Sequence, residues 1–168
     1  MHIVSERPDY VPAVRQVILD AFGRPNEADL VDCLRSEGNV VSSLVAVQDE
    51  EIVGHILFSP VKLEMPHGEL PLVALAPLSV RPDRRREGVG SQLIYYGIQA
   101  CRKEGYELCV VIGDNVYYPR FGFVPAILAG VECGLPVPLE AFMVMELTPG
   151  ALSGRSGIVR YPPAFDGV

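Results

Sequence analysis

At 168 residues the chain has room for one domain with its own core, and not for two. Its composition, 49% hydrophobic and 21% charged, is ordinary for a folded globular domain and argues against disorder. A formal net charge of -7 argues against general affinity for nucleic acid, which needs many Lys or Arg contacts to phosphate, and no run of about 18 apolar residues is present to span a bilayer.

In chain order, residues 2–5 read as a short strand. Pro8 to Phe22 follow as a helix with Val11, Val14, Ile18 and Leu19 striped at helical spacing, broken by Gly23 to Pro25. Asn26 is placed to cap a second helix, Glu27 to Glu37, which Gly38 ends. Residues 40–47 and 51–61 read as a hairpin across Gln48-Asp49-Glu50. Leu70 to Val80 is apolar on both faces, as a central strand should be, but Pro77 cannot donate to a ladder. A central strand that stops pairing halfway leaves a gap in its sheet.

From Gly88 a third helix carries the apolar rows Val89, Leu93, Ala100 and Ile94, Ile98, Cys101, with Arg102 and Lys103 in its last turn and Gly105 as its cap. Glu107 to Ile112 reads as a buried strand ended by Gly113-Asp114. Asn115 to Arg120 reads as a short helical turn, and RFGFVPA as a turn into a strand. Ala141 to Leu147 is a further strand, and Ile158 to Tyr161 can add one within the Gly/Pro-rich extension at 148–168. The order is that of one mixed α/β domain over residues 1–168. The four cysteines show no CxxC spacing and the three histidines are scattered, so the expectation is idle thiols and no metal. The first ten residues lack the basic and apolar regions of a signal peptide, and a cytoplasmic, reduced protein is the default expectation.

Arg81, Arg84, Arg85 and Arg86 place four of the fourteen basic residues immediately before Glu87-Gly88-Val89-Gly90 and a helix. The first turn of a helix has unpaired N–H groups and partial positive charge, and glycines allow a ligand close to it, so the arrangement suits an anion. A tight turn with solvated arginines is the plainer alternative. No Gly-Lys pair exists for a Walker A loop, and the third glycine of a dinucleotide fingerprint is replaced by Leu93.

The spacing Arg85-x-x-Gly88-x-Gly90 after the strand LSVRPD resembles the acetyl-CoA motif of the GNAT superfamily of N-acetyltransferases. YYPRFGF, from Tyr117 to Phe123, resembles the superfamily's Tyr-x-x-x-Gly-Phe element, and VVIGDNVYYPRFGF with the APLSV strand resembles its YhbS-like branch. The likeness covers residues 1 to about 165. It implies a mixed sheet of six or seven strands splayed between the fourth and fifth, flanked by about four helices. It also implies acetyl-CoA as co-substrate without a metal, with the pantetheine arm along Leu78, Ser79 and Val80. Arg85, Arg86, Glu87, Gly88, Val89, Gly90 and Ser91 would surround the pyrophosphate, with Asp114 beside the cofactor. One departure stands out: the asparagine that many relatives carry seven residues before the tyrosine is here Val111.

Acetyl transfer by direct attack needs a neutral amine, and an amine of pKa near 10 is only about 0.1% neutral at pH 7, a cost of roughly 4 kcal/mol. Tyr118 matches the position of the general acid that protonates the departing sulfur, and a phenol holds its proton at pH 7. Its neighbour Tyr117 is assigned to packing. For the base, Glu27 is the first choice, with Asp114 or a water as alternatives; His55, on a strand face with Leu57 and Ser59, reads as a hydrogen-bonded core residue. The expected acceptor is a small-molecule or peptide amine; no nucleic acid or membrane partner is expected, and a homodimer accords with the superfamily. The rival reading is an acyl-CoA-binding sensor without turnover.

Overall fold

The computed structural model describes all 168 residues. β1 (His2–Ser5) passes through a 3-10 turn at Pro8–Tyr10 into α1 (Val11–Phe22) and α2 (Asn26–Ser36). β2 (Ser42–Gln48), β3 (Glu51–Met65) and β4 (Gly68–Val80) form a meander, followed by α3 (Val89–Lys103) and β5 (Leu108–Ile112). Then come β6 (Val124–Pro125), β7 (Val131–Cys133), β8 (Phe142–Glu146) and β9 (Gly157–Arg160). No helix is long and apolar enough to cross a membrane.

Local chemistry sets most boundaries. Gly23 stops α1 at φ +68, its N–H bonded to the Leu19 carbonyl. Asp49 and Glu50 both sit at positive φ, the mirror-image turn that matches strand twist in a two-residue hairpin. Asn26 does not cap α2; the helix already includes it, with Pro25 at the cap position and no side-chain bond there. The expected fourth helix is a single 3-10 turn, Tyr118–Phe121, because Pro119 lacks an N–H and Gly122 reverses the chain at φ +104.

The nine-stranded sheet runs β1-β2-β3-β4-β5-β8-β6, with β9 pairing both the far half of β3 and β7. The lengthened β3–β4 hairpin, Met65 opposite Gly68, carries the chain well past the expected ends and supplies the edge that β9 joins. Packing fills both faces. On one, Val53, Ile56 and Phe58 meet Leu93, Ile94 and Ile98 of α3. On the other, Val45 and Leu57 meet Val14 and Ile18 of α1 and Leu34 of α2. Gly97 faces the Phe58 ring so closely that even a methyl group at this position has no room.

β4 and β5 separate partway along. Their parallel pairing covers Val73 with Cys109, Ala74 with Val110 and Leu75 with Val111. Beyond it, Ala76 and Pro77 stand where β3 offers only Leu57, a bulge in β4. Leu78, Ser79 and Val80 then continue with β3, while Ile112 continues with Phe142 of β8. The proline that broke the strand pattern therefore marks the point where the sheet opens.

Candidate active site

The opening leads to the turn before α3. Arg81, at the end of β4, is held by Glu51 and by both oxygens of Asp83, so its charge is already matched. Arg85 donates from Nη2 to the Ala21 carbonyl at 3.1 Å, tying the turn to the C-terminal end of α1. Arg86 and Glu87 are exposed. Arg86 lies at φ +64 and Gly88 at φ +84, left-handed positions two residues apart, and turns with such residues can form anion-binding nests of backbone N–H groups. For arginine such a conformation is uncommon and costs about 1–3 kcal/mol, a strain that concentrates at ligand sites. Gly88 caps α3 without any side-chain hydrogen bond, so no side chain satisfies the first-turn amides. The residues suit a diphosphate in charge and backbone geometry.

Leu78 and Val80 pack toward α3, and Ser79 faces the other way, fully buried with its hydroxyl unpartnered. On the β5 side of the opening, Asp114 Oδ1 accepts the N–H groups of Val116 at 2.7 Å and Tyr117 at 3.0 Å. Those two bonds hold its carboxyl below the usual range. Asp114 thus orders the turn that presents the two tyrosines. Tyr118 lies against Gly113, where any side chain would meet its ring, and stacks edge-on with Tyr117 and Phe123 at 5.2 and 5.7 Å. Burial first, then Tyr117, Cys109 and Asp114, raise its hydroxyl well above the ordinary 10. It is a proton donor that stays loaded.

Tyr117 does not simply pack. Its hydroxyl reaches across the opening to Gly90, where an added Cβ would lie 2.7 Å from it, with Leu78 and Val80 side chains 3.7 and 3.8 Å from the same point. Tyr117 stands at the cap position just before the 3-10 turn, and its ring faces the gap.

Among the candidate bases, Glu27 is buried, 6% exposed, in the first turn of α2. Arg24 grips both its oxygens, Nε to Oε1 at 2.9 Å and Nη2 to Oε2. The Arg85–Ala21 bond brings this turn beside the arginine loop. His55 is fully buried, with Nε2 2.9 Å from Ser43 Oγ. Burial, helped by Arg35, lowers it to about 3, so the ring is neutral and poorly basic. This is the core histidine expected of such a strand position. No three His, Cys, Asp or Glu side chains converge as metal ligands. Elsewhere, a cavity of about 170 Å³ lies among Ile127, Val131, Cys133, Leu135, Leu139 and Phe142. The sequence offered no sign of it, because its walls come from short turns and β7.

An open sheet, an uncapped helix start at its mouth and a half-buried tyrosine on the facing lip agree with the acetyltransferase class. The acetyltransferase (GNAT) domain family matches residues 3–126, and the chain belongs to that family. It is 36% identical over 168 residues to the uncharacterized N-acetyltransferase YhbS of Escherichia coli K12, covering 99% of both chains. To the uncharacterized N-acetyltransferase YjhQ of the same strain it is 39% identical over 153 residues, covering 84% of this chain and 83% of that one. The crystal structure of E. coli YhbS in complex with CoA superposes with TM-score 0.92 at 35% identity, over 98% of this chain and 91% of that one. A GNAT family acetyltransferase from Brucella melitensis in complex with acetyl-CoA superposes with TM-score 0.80 at 35% identity, over 98% and 97%.

Proposed function

We propose that the chain is an N-acetyltransferase that passes the acetyl group of acetyl-CoA to a primary amine of a small molecule or peptide. The observation that carries this reading is the opening of the sheet beyond Leu75 and Val111, with the uncapped start of α3 at its mouth. Relatives of 35% identity bind CoA and acetyl-CoA, which supports the same co-substrate here. The Arg85 to Ser91 turn takes the diphosphate, and the backbone of Leu78, Ser79 and Val80 on the side β5 has left takes the pantetheine amides.

The thioester supplies the activated acyl carbon. The amine nitrogen bonds to it, the carbon–sulfur bond breaks, and the departing sulfur takes the Tyr118 proton. The proton lost by the amine goes to Glu27, directly or through water, with Arg24 fixing the carboxylate. Incubating the protein with acetyl-CoA and a panel of amines, with thiol release as the signal, tests this. Release that depends on the amine is expected; binding without release points to the second reading.

That second reading, an acyl-CoA-binding module without turnover, is favoured by one observation. Each candidate base is engaged or silent: Glu27 by Arg24, Asp114 by two amides, His55 by burial.

A further inference from the structure

Gly88 and Gly90 are glycines for different reasons. Gly88 needs its left-handed φ of +84. Gly90 has no such need: it is the second residue of α3 and its φ is not positive, so alanine would favour the helix by about 1 kcal/mol. What holds glycine there is space, and the space is filled by the Tyr117 hydroxyl, 2.7 Å from where a Cβ would stand.

That hydroxyl belongs to a ring fixed from several sides. Tyr118 and Phe121 stack edge-on against it at 5.2 and 5.1 Å, the Arg120 guanidinium lies 5.4 Å from its centroid, and its N–H is bound by Asp114. Burial raises the hydroxyl above the ordinary range, partly offset by Arg120 and by the Ser91 hydroxyl beside it. Tyr117 therefore presents a fixed O–H donor, from the β5 side, to the first turn of α3 and the outer half of β4. Those are the two surfaces assigned above to the diphosphate and to the pantetheine arm, so the hydroxyl stands where the two meet.

We propose that Tyr117 is a binding residue for acetyl-CoA, its hydroxyl donating a hydrogen bond to the diphosphate oxygens at the start of α3, and that Gly90 is glycine to admit it. The inference rests on the proposed function and extends it by a residue on the lip opposite the arginine turn. The two tyrosines then divide the work: Tyr117 holds the co-substrate and Tyr118 serves its sulfur.

Calorimetric titration with acetyl-CoA separates the two claims. If the wild-type chain does not bind, the functional reading fails and the inference with it. If it binds, Tyr117→Phe is expected to weaken binding about fivefold to tenfold, the size of one hydrogen bond, while the free protein melts at an unchanged temperature. Tyr118→Phe is expected to leave the affinity alone. Gly90→Ala should weaken the wild type more than it weakens Tyr117→Phe, because only the former has a hydroxyl to displace. Equal or tighter binding by Tyr117→Phe, or the same effect of Gly90→Ala in both backgrounds, would leave Tyr117 as packing and overturn the inference.

Discussion

Two neighbouring tyrosines meet different surfaces: Tyr117, at the cap position before the 3-10 turn, reaches Gly90, and Tyr118, the first residue of that turn, meets Gly113. Tyr118 is pressed on Gly113, and burial keeps its proton in place. Replacing it with phenylalanine keeps the ring and removes the donor. Turnover is expected to fall by about a hundredfold or more, the usual scale of acid–base assistance, with acetyl-CoA affinity unchanged. Since the hydroxyl is raised above 10, loss of this proton should not lower the rate as pH climbs to 10; a fall centred between pH 8 and 9 that disappears in Tyr118→Phe would contradict the assignment. Glu27→Gln should likewise lower turnover by about a hundredfold while leaving affinity intact, because the amide still accepts from Arg24 but cannot take a proton. Full activity in that variant would hand the base to water.

At the scale of elements, α3 is the piece that both packs the core and presents the site. Its tight contact with Phe58 depends on Gly97, and Gly97→Val should destabilise the fold by about 1–3 kcal/mol, read as a lower urea midpoint with unchanged slope. Wild-type stability in that variant would mean that Phe58 can move aside freely. The elements with strong periodicity, α1, α3 and the β2–β4 meander, were legible in the sequence because their apolar spacing reflects burial on one face or two. Pro77 was legible as a break, and the pairing shows the break is where β4 and β5 part. β7 was not legible: three residues carry no alternation, and its parallel pairing with β9 is set by the tertiary fold. The motif pointed to Tyr118 and the arginine turn and left Tyr117 to packing; the reach of Tyr117 to Gly90 follows from backbone geometry that residue types do not encode.

Over the whole molecule, one buried imidazole links stability to pH. In the fold His55 titrates near 3, against an ordinary 6.5, so between those values the unfolded chain binds a proton that the fold refuses. Stability is therefore present above pH 6.5 and lost as pH falls toward 3, by up to about 1.36 kcal/mol per unit. The urea midpoint should drop from pH 6.5 to 5.5, a window above the range where carboxylates titrate strongly, and His55→Gln should flatten that slope. A slope that persists in the variant would place its origin elsewhere.

The same fold leaves one gap in its sheet, between β4 and β5, and its function depends on what enters there. Titrating the protein with acetyl-CoA in a calorimeter tests this most directly. One molecule should bind per chain, and Gly88→Val, which cannot hold φ +84 without strain, should abolish the heat. No binding by the wild type, or binding untouched by that change, would contradict the assignment of the opening between β4 and β5 as the acetyl-CoA site.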